Sequence, residues 1–157
     1  MNISIRKLLP QDIPQVLRIL SLWNLEPVAP SPECPDPEKS SISIDTAFVA
    51  VDEDLIVGIG SYRILSSETA ETMSLAVAPE YKGKGIGYLL QRARLREMKE
   101  KGIRIVRTDT DRPETIQWYI NKFGYKIIGH KKKKHPSSLL DIDSWTVLEL
   151  DLEQSPL

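Results

Sequence analysis

The stretch from Thr72 to Leu90, TMSLAVAPEYKGKGIGYLL, constrains the fold more than any other part of the chain. It opens with an apolar run rich in strand-forming residues, Met73 to Ala78. Pro79 ends this run, because proline cannot donate a hydrogen bond to a sheet. A glycine loop, Lys82 to Gly87, comes next, and apolar residues then recur at helical spacing: Ile86, Leu89, Leu90 and Ala93. The stretch therefore predicts a strand, a glycine loop and a helix in direct succession.

The glycine loop predicts an anion-binding site. Three glycines at alternate positions let the backbone approach a ligand closely, and they leave the first N–H groups of the following helix unpaired. Together with the positive end of the helix dipole, these groups suit a pyrophosphate. The dinucleotide pattern GxGxxG does not fit, because Tyr88 and Leu90 stand where its third glycine would be. The phosphate-loop pattern GxxxxGK[ST] does not fit either, because Ala78 stands five residues before Gly83.

The same loop resembles the signature Q/R-x-x-G-x-G/A of the GNAT superfamily of acetyl-CoA-dependent N-acetyltransferases. Lys82, Gly85 and Gly87 match it in order, with lysine in place of the usual arginine or glutamine. In that family the loop binds pyrophosphate mostly through backbone amides, so the exchange of this side chain leaves the resemblance intact.

The segment ETIQWYINKFGY, Glu114 to Tyr125, resembles a second signature of the family, an aromatic-Tyr pair followed by x-K-x-G-F. Trp118 and Tyr119 provide the pair, and Lys122, Gly124 and Tyr125 complete the match. The family often has an asparagine seven residues before the tyrosine. Arg112 stands there instead, so a cofactor contact by an asparagine at this place is not expected.

The resemblance implies one N-acetyltransferase domain over residues 1–157, with an α/β (α+β) fold of the GNAT type. Its sheet is expected to be mixed and mostly antiparallel, with about seven strands and about four helices, and strands 4 and 5 are expected to be parallel and splayed. Acetyl-CoA is the implied cosubstrate. The residues implied to bind it are Leu75, Val77, Lys82, Gly83, Lys84, Gly85, Ile86, Gly87 and Tyr88. The N–H of Leu75 would act as an oxyanion donor, and the backbone of Val77 would pair with the pantetheine arm.

Composition narrows the class of protein. A chain of 157 residues suits one domain with one substantial core. No stretch approaches a membrane span and the N-terminus lacks the apolar run of a signal peptide, so we expect a cytoplasmic protein with no membrane contact. One cysteine, Cys34, allows neither an intrachain disulfide nor a cysteine metal cluster, and His130 and His135 lack metal-ligand spacing. A net charge of -1 argues against a nucleic-acid partner.

Hydrophobic patterning predicts the remaining elements. A short strand holds Ile3 and Ile5, and Asp12 is expected to cap the first helix. Gly58 and Gly60 indicate a bulge or a tight crossing inside their strand. The other expected strands are Thr46 to Val51, Leu55 to Ile64, Ile103 to Thr108, Tyr125 to His130 and Thr146 to Leu152, and the expected helices end at Gly102 and Gly124.

Three charged or proline-rich segments lie outside the two signatures, and two of them allow more than one interpretation. Pro27 to Pro37 holds five of the 11 prolines and predicts a stiff loop, which either shapes the acceptor groove or faces solvent. Cations along the second helix are expected on its solvated side: Arg92, Arg94, Arg96, Lys99 and Lys101. Lys131 to Lys134, in an expected loop from Lys131 to Ser144, either attract an acidic acceptor or the coenzyme 3'-phosphate, or are simply solvated.

Acetyl transfer to an amine requires a base, because an acceptor lysine has a reference pKa of about 10.4. Ala70-Glu71 matches the Ala-Glu that supplies the base in histone acetyltransferases of this superfamily, so Glu71 is the first candidate. The alternatives are an exposed structural role for Glu71, with Asp109, Asp111 or water as the base. The branch that acetylates N-termini of ribosomal proteins has a glutamate where Arg107 stands, which argues against that branch's mechanism.

Tyr119 is the candidate general acid, because in the family this tyrosine lies beside the coenzyme sulfur. A phenol near its reference pKa of about 10 is protonated at neutral pH and can donate to the departing thiolate. The alternative is a tyrosine that only packs on a helix face.

Taken together, the residues and the resemblance predict an N-acetyltransferase that transfers acetyl from acetyl-CoA to an amine by direct attack in a ternary complex. The acceptor is a small molecule or a protein, no metal is expected, and a homodimer through the last strands is compatible with the resemblance. An alternative is a non-catalytic acyl-CoA-binding regulatory module. A nucleic-acid contact through Lys131 to Lys134 is the least supported interpretation.

Overall fold

A computed structural model describes residues 1–35 and 42–155 of the chain. Its seven strands are β1 (Ile3–Lys7), β2 (Ala47–Asp52), β3 (Leu55–Ile64), β4 (Thr69–Val77), β5 (Ile105–Thr110), β6 (Lys126–Lys132) and β7 (Ser144–Asp151). They form one sheet in the order β1-β2-β3-β4-β5-β7-β6, in which only the β4–β5 pair is parallel. The expected mixed sheet of about seven strands is confirmed.

Three α-helices occur in the described residues, where about four were expected: α1 (Ile13–Leu22), α2 (Ile86–Glu100) and α3 (Pro113–Phe123). Helix α1 packs on one face of the sheet through Val16, Ile19 and Leu20. Helices α2 and α3 cover the other face, where Leu95, Met98, Tyr119 and Phe123 join one buried cluster. The sheet is thus the middle of three layers. No helix in residues 1–35 or 42–155 has the length and apolar composition needed to cross a bilayer.

Both glycine helix stops were predicted correctly. Gly102 and Gly124 follow α2 and α3 with φ of +86° and +81°, a left-handed conformation in which a side chain is strained.

The two glycines inside β3 let α2 cross the sheet closely, as predicted. A Cβ atom on Gly58 would lie 3.0 Å from Leu90 Cδ1, and one on Gly60 would lie 3.3 Å from Leu90 Cβ. The sheet register also shifts opposite Gly58 and again after Gly60, so a bulge accompanies each glycine. The crossing brings the start of α2 against the end of β4.

Two predictions about charged side chains were wrong. Asp12 precedes α1 but makes no side-chain capping hydrogen bond to it; its carboxylate instead accepts from the Arg6 guanidinium at 2.7 and 3.0 Å and from the Leu9 N–H. Arg94 was expected on the solvated side of α2 and is fully buried. Helix α2 is rotated relative to the expected stripe, so that residues four apart, Ile86, Leu90, Arg94 and Met98, all face the core.

Element boundaries moved where pairing continued beyond the apolar pattern. β4 begins at Thr69 rather than Met73, because Ala70 and Glu71 pair with Ile64 and Arg63 of β3. β6 extends to Lys132, into a segment that was expected to be loop. Pro27 to Pro35 has no regular structure, as its prolines predict, and the last two residues of that expected loop, Asp36 and Pro37, lie outside the described residues.

Candidate active site

The central feature of the site is a gap between β4 and β5. Their pairing ends at Thr72 and Thr108, although β4 continues to Val77. On its other edge β4 stays paired with β3, and Ala78 N–H donates to Val57 O at 2.8 Å. Since bonded and non-bonded pairs alternate in an antiparallel ladder, the backbone groups of Val77 and Leu75 point toward the gap. The parted strands, which the family resemblance implied would be splayed, therefore expose backbone donors and acceptors to a ligand.

A cavity of about 410 Å³ lies at this gap. Its walls come from β4, the glycine loop, the first turn of α2, the end of β5 and α3. Eight of the nine predicted cofactor-binding residues line it: Leu75, Val77, Lys82, Gly83, Gly85, Ile86, Gly87 and Tyr88. Lys84 does not line it. The predicted general acid, Tyr119, lines the same cavity, so one space contains both sets of residues.

The glycine loop has the backbone geometry that an anion site requires. Gly83 and Gly85 have φ of +79° and +81°, and a Cβ atom on either would meet no atom within 4 Å. Backbone conformation, rather than crowding, is therefore what favours glycine here. Gly85 precedes α2 without a side-chain cap, and Leu89 N–H bonds to its carbonyl at 3.2 Å. An uncapped helix N-terminus behind an open loop fits the diphosphate of a coenzyme.

Trp23 closes part of the gap from the α1 side, a contact that no sequence pattern predicted. Its indole N–H donates to Val77 O at 2.9 Å, and the Arg112 guanidinium lies 5.2 Å from its ring centroid. The carbonyl of Val77 is therefore engaged by the protein, which leaves its N–H for the predicted pairing with a ligand. Arg112, which replaces the family's asparagine, also lines the cavity.

Tyr119 is held with its hydroxyl against a buried cation. Its side chain is packed between Trp118 and Tyr125, with 5.0 Å from its ring centroid to each of theirs, and the residue is 3% exposed. The hydroxyl oxygen accepts from Arg94 Nη2 at 3.4 Å. Because the oxygen acts as acceptor in that contact, the phenol proton can be donated to a group in the cavity.

A buried polar network supports this tyrosine from α2. Arg94 Nη2 also donates to Gln91 Oε1, and Gln91 Nε2 donates to the Tyr125 hydroxyl at 2.8 Å. Burial raises the pKa of Tyr125 far above its ordinary value, the nearby Tyr119 adds to this, and Arg94 and Gln91 oppose it. Tyr125 is therefore a neutral member of the network, and its phenol keeps its proton.

The three predicted base candidates have different surroundings. Glu71 does not line the cavity, and its carboxylate is paired with Arg63 at 3.0 Å. Asp109 lines the cavity and is paired with Lys131 at 2.7 Å. Asp111 lines it too but is buried, bonded to Lys133, to the Ser138 hydroxyl and to the Leu139 N–H. Asp111 therefore serves as an anchor, while Asp109 is the one of the three candidates that lines the cavity without being fully buried.

The structure corrects both interpretations for Lys133, whereas Lys132 and Lys134 are exposed, as the solvated interpretation expects. Lys131 and Lys133 face the body of the protein and pair with Asp109 and Asp111, two alternate residues of the β5 end. Lys133 is neither solvated nor available to an anion, since its side chain is 5% exposed. The alternation follows from β6 continuing to Lys132, because successive strand residues point to opposite faces.

No group of three or more histidine, cysteine, aspartate or glutamate side chains is placed to hold a metal ion in the parts of the chain that the structure describes. Whether the site works without metal stays a prediction.

The fold is similar to several solved structures. Ard1 from Thermoplasma volcanium is 19% identical with a TM-score of 0.75, over 96% of this chain and 98% of that one. The ribosomal-protein-S18-alanine N-acetyltransferase from Escherichia coli is 16% identical with a TM-score of 0.75, over 96% and 94%. N-acetylglutamate synthase from Neisseria gonorrhoeae, complexed with coenzyme A and N-acetyl-glutamate, is 16% identical with a TM-score of 0.71, over 97% of this chain and 35% of that one. At these identities the similarity concerns the fold.

The sequence itself matches a family model. No curated protein matches the chain. The model of the acetyltransferase (GNAT) family, however, matches residues 16–125, which is more than half of the chain and includes the glycine loop and Tyr119. The resemblance inferred from the two signatures is thereby confirmed, and the chain belongs to the acetyltransferase (GNAT) family.

Proposed function

We propose that the protein is an N-acetyltransferase that transfers the acetyl group of acetyl-CoA to an amine of a small molecule or a protein. The observation that carries the proposal is the common cavity of three features: the uncapped start of α2, the gap-facing backbone of Leu75 and Val77, and the hydroxyl-bearing ring of Tyr119. These are the parts needed to hold a diphosphate, an extended arm and a thioester in line.

The chain's own residues divide the binding between them. Loop amides around Gly83 and Gly85 hold the diphosphate, with the α2 dipole behind them. The N–H of Val77 pairs with the arm as a neighbouring strand would, because β5 has left that edge of β4. Trp23 holds the Val77 carbonyl from the α1 side, and Arg112 lies against its ring and lines the cavity.

Acetyl-CoA supplies a thioester to this site. The acceptor ammonium first loses one proton to a base. The amine nitrogen then forms a bond to the carbonyl carbon, the carbon–sulfur bond breaks and the sulfur gains a proton from Tyr119, which regains one from the nitrogen. The N–H of Leu75 donates to the carbonyl oxygen while negative charge develops there. Every proton lost by the amine thus has an acceptor, and the leaving sulfur has a donor.

For the base we propose Asp109 acting directly, with Glu71 acting through water as the alternative. Asp109 lines the cavity and Glu71 does not. Both carboxylates are paired with a cation, at 2.7 and 3.0 Å, so ion pairing does not separate them. Access to the amine favours Asp109, while the Ala70-Glu71 match favours Glu71.

Direct attack in a ternary complex is favoured over an acyl-enzyme. The protein has one cysteine, Cys34, and it is not among the residues that line the cavity. The hydroxyl of Ser138, which does line it, donates to Asp111 at 2.8 Å. Neither side chain is arranged as an activated nucleophile.

The test is thiol release from acetyl-CoA across a panel of amines, with Tyr119→Phe beside the wild type. We expect kcat to fall about 100-fold in the variant, the usual size of a general-acid contribution, with the Kd of coenzyme A changed less than about twofold. Tyr62→Phe is the control, because Tyr62 is also buried but bonds to Glu97 and Lys101 away from the cavity. Tight coenzyme binding without thiol release for any amine would support a non-catalytic acyl-CoA-binding module instead.

A further inference from the structure

Arg94 is a fully buried arginine that pairs with no carboxylate in residues 1–35 or 42–155. Its Nε has no hydrogen-bond partner in that part of the chain either. Taking a cation out of water without an opposite charge is unfavourable, so packing alone does not account for an arginine at this position of α2.

The guanidinium reaches two groups that the proposed reaction uses. On one side, Nη1 donates to Ser61 O at 2.8 Å and to Ser74 O at 3.2 Å. The Ser74 carbonyl and the Leu75 N–H belong to the same peptide unit. On the other side, Nη2 donates to the Tyr119 hydroxyl at 3.4 Å. One rigid group therefore touches both the peptide of the oxyanion donor and the general acid.

We propose that Arg94 is a positioning residue that fixes the Leu75 N–H and the Tyr119 hydroxyl relative to each other; this inference rests on the proposed function. A hydrogen bond to the Ser74 carbonyl polarises its peptide and strengthens the Leu75 N–H as a donor, by roughly 10–30% for a bond in a chain. The contact with Tyr119 holds the phenol oxygen as acceptor, which directs its proton away from Arg94. The planar fork of the guanidinium keeps the two at a constant separation.

The sheet provides room for this side chain. Gly60 on β3 is the register partner of Leu75. A Cβ atom added at Gly60 would lie 3.4 Å from Arg94 Cδ and 3.5 Å from Arg94 Nε. These are ordinary van der Waals distances, so Arg94 lies directly over β3 at Gly60 on its way to Ser74. The tighter contact at this glycine is with Leu90 Cβ, at 3.3 Å, where α2 crosses the strand.

The test compares Arg94→Met and Arg94→Lys with Arg96→Met, an exposed arginine on the same helix. We expect Arg94→Met to lower kcat about tenfold or more, because a weakened oxyanion donor and a misplaced acid both act on the transition state. The KM for acetyl-CoA and the calorimetric Kd of coenzyme A should stay within about twofold. Arg94→Lys should lower kcat as well, since one ammonium cannot span Ser74 and Tyr119, and Arg96→Met should change neither parameter.

A double-mutant cycle separates positioning from a structural role. If Arg94 acts partly through Tyr119, Arg94→Met lowers kcat by a smaller factor in a Tyr119→Phe background than in the wild type. An equal fold-loss of kcat in both backgrounds would overturn the inference. So would a Kd of coenzyme A that rises in parallel with the loss of kcat. Should Arg94→Met not fold, Arg94→Lys decides, and a wild-type kcat in it overturns the inference. If the wild type shows no turnover, both the proposed function and the role of Arg94 are overturned. If the wild type turns over and the Arg94 variants do so equally fast, only the role of Arg94 is overturned.

Discussion

Lys133 Nζ lies 2.7 Å from Asp111 Oδ2 in an ion pair whose side chains are only 5% and 1% exposed. The ammonium also donates to the carbonyls of Ser137 and Leu139, at 2.9 and 2.8 Å, and lies 4.6 Å from the centroid of the Trp145 ring. The pair fastens the β6–β7 connection to the end of β5. Because Asp111 and Trp145 line the cavity, this buried charge pair sets one of its walls.

Replacing Lys133 by methionine should destabilise the protein by about 3–5 kcal/mol, because it leaves the Asp111 carboxylate buried without a cation. Lys132→Met, an exposed neighbour, is the matched control and should change stability by less than about 0.5 kcal/mol. Urea unfolding of both variants measures the difference. Similar values for the two lysines would show that the ion pair contributes little.

Lys133 and Arg94 illustrate what the sequence could not reveal. Runs of charge are most often solvated, so both side chains were assigned to the surface. Their burial depends on partners distant in the chain, Asp111 for one and the Ser74 and Tyr119 groups for the other. A local signal did exist for Arg94, since it follows Leu90 by four residues on the face that α2 buries.

Glycines and prolines, in contrast, predicted much of the fold, because they restrict the backbone locally. Gly102 and Gly124 marked the helix ends, and Gly58 and Gly60 marked the crossing of α2 over β3. The prediction that β4 and β5 part came from the family resemblance rather than from any pattern of residues. Trp23 was missed because nothing in the sequence indicates that its indole reaches Val77.

Gly85→Ala should weaken binding of coenzyme A by about tenfold. Alanine in the left-handed conformation costs about 1–2 kcal/mol, and relief of that strain would rotate the amides at the start of α2. Gly102→Ala is the control, because Gly102 has φ of +86° and an equally open Cβ position but does not line the cavity. Calorimetry with coenzyme A should show an unchanged Kd for Gly102→Ala. Equal affinities for the two variants would argue against the loop as the diphosphate site.

Asp109→Asn should lower kcat/KM by about 100-fold, as expected when a general base is removed, while Glu71→Gln should lower it by less than about fivefold. The reason is that Asp109 lines the cavity and Glu71 lies outside its lining. Both substitutions keep side-chain volume and remove one member of an ion pair, so each controls for the other. The opposite ranking would identify Glu71 as the general base. If neither substitution changes kcat/KM, water accepts the proton.

Asp12→Asn should change the dependence of stability on pH. The hydrogen bonds from Arg6 lower the pKa of Asp12, with the Leu9 N–H adding to the effect and burial opposing it. A carboxylate with a lowered pKa stabilises the folded state above its unfolded pKa of about 3.9, and this contribution disappears as the pH falls through the folded value. The free energy of unfolding of the wild type should therefore exceed that of Asp12→Asn by about 1 kcal/mol at pH 7. This difference should shrink below about pH 4.

Urea unfolding of both proteins at pH 7, 5, 4 and 3 measures this, with exposed Asp54→Asn as the control for loss of one negative charge. The free energy of unfolding of Asp54→Asn should differ little from that of the wild type at all four pH values, because the Asp54 side chain is exposed to solvent. A stability difference between wild type and Asp12→Asn that stays constant down to pH 3 would mean that Asp12 acts through shape and hydrogen bonding alone. A difference that closes on acidification shows that the ionised carboxylate holds β1 against the start of α1.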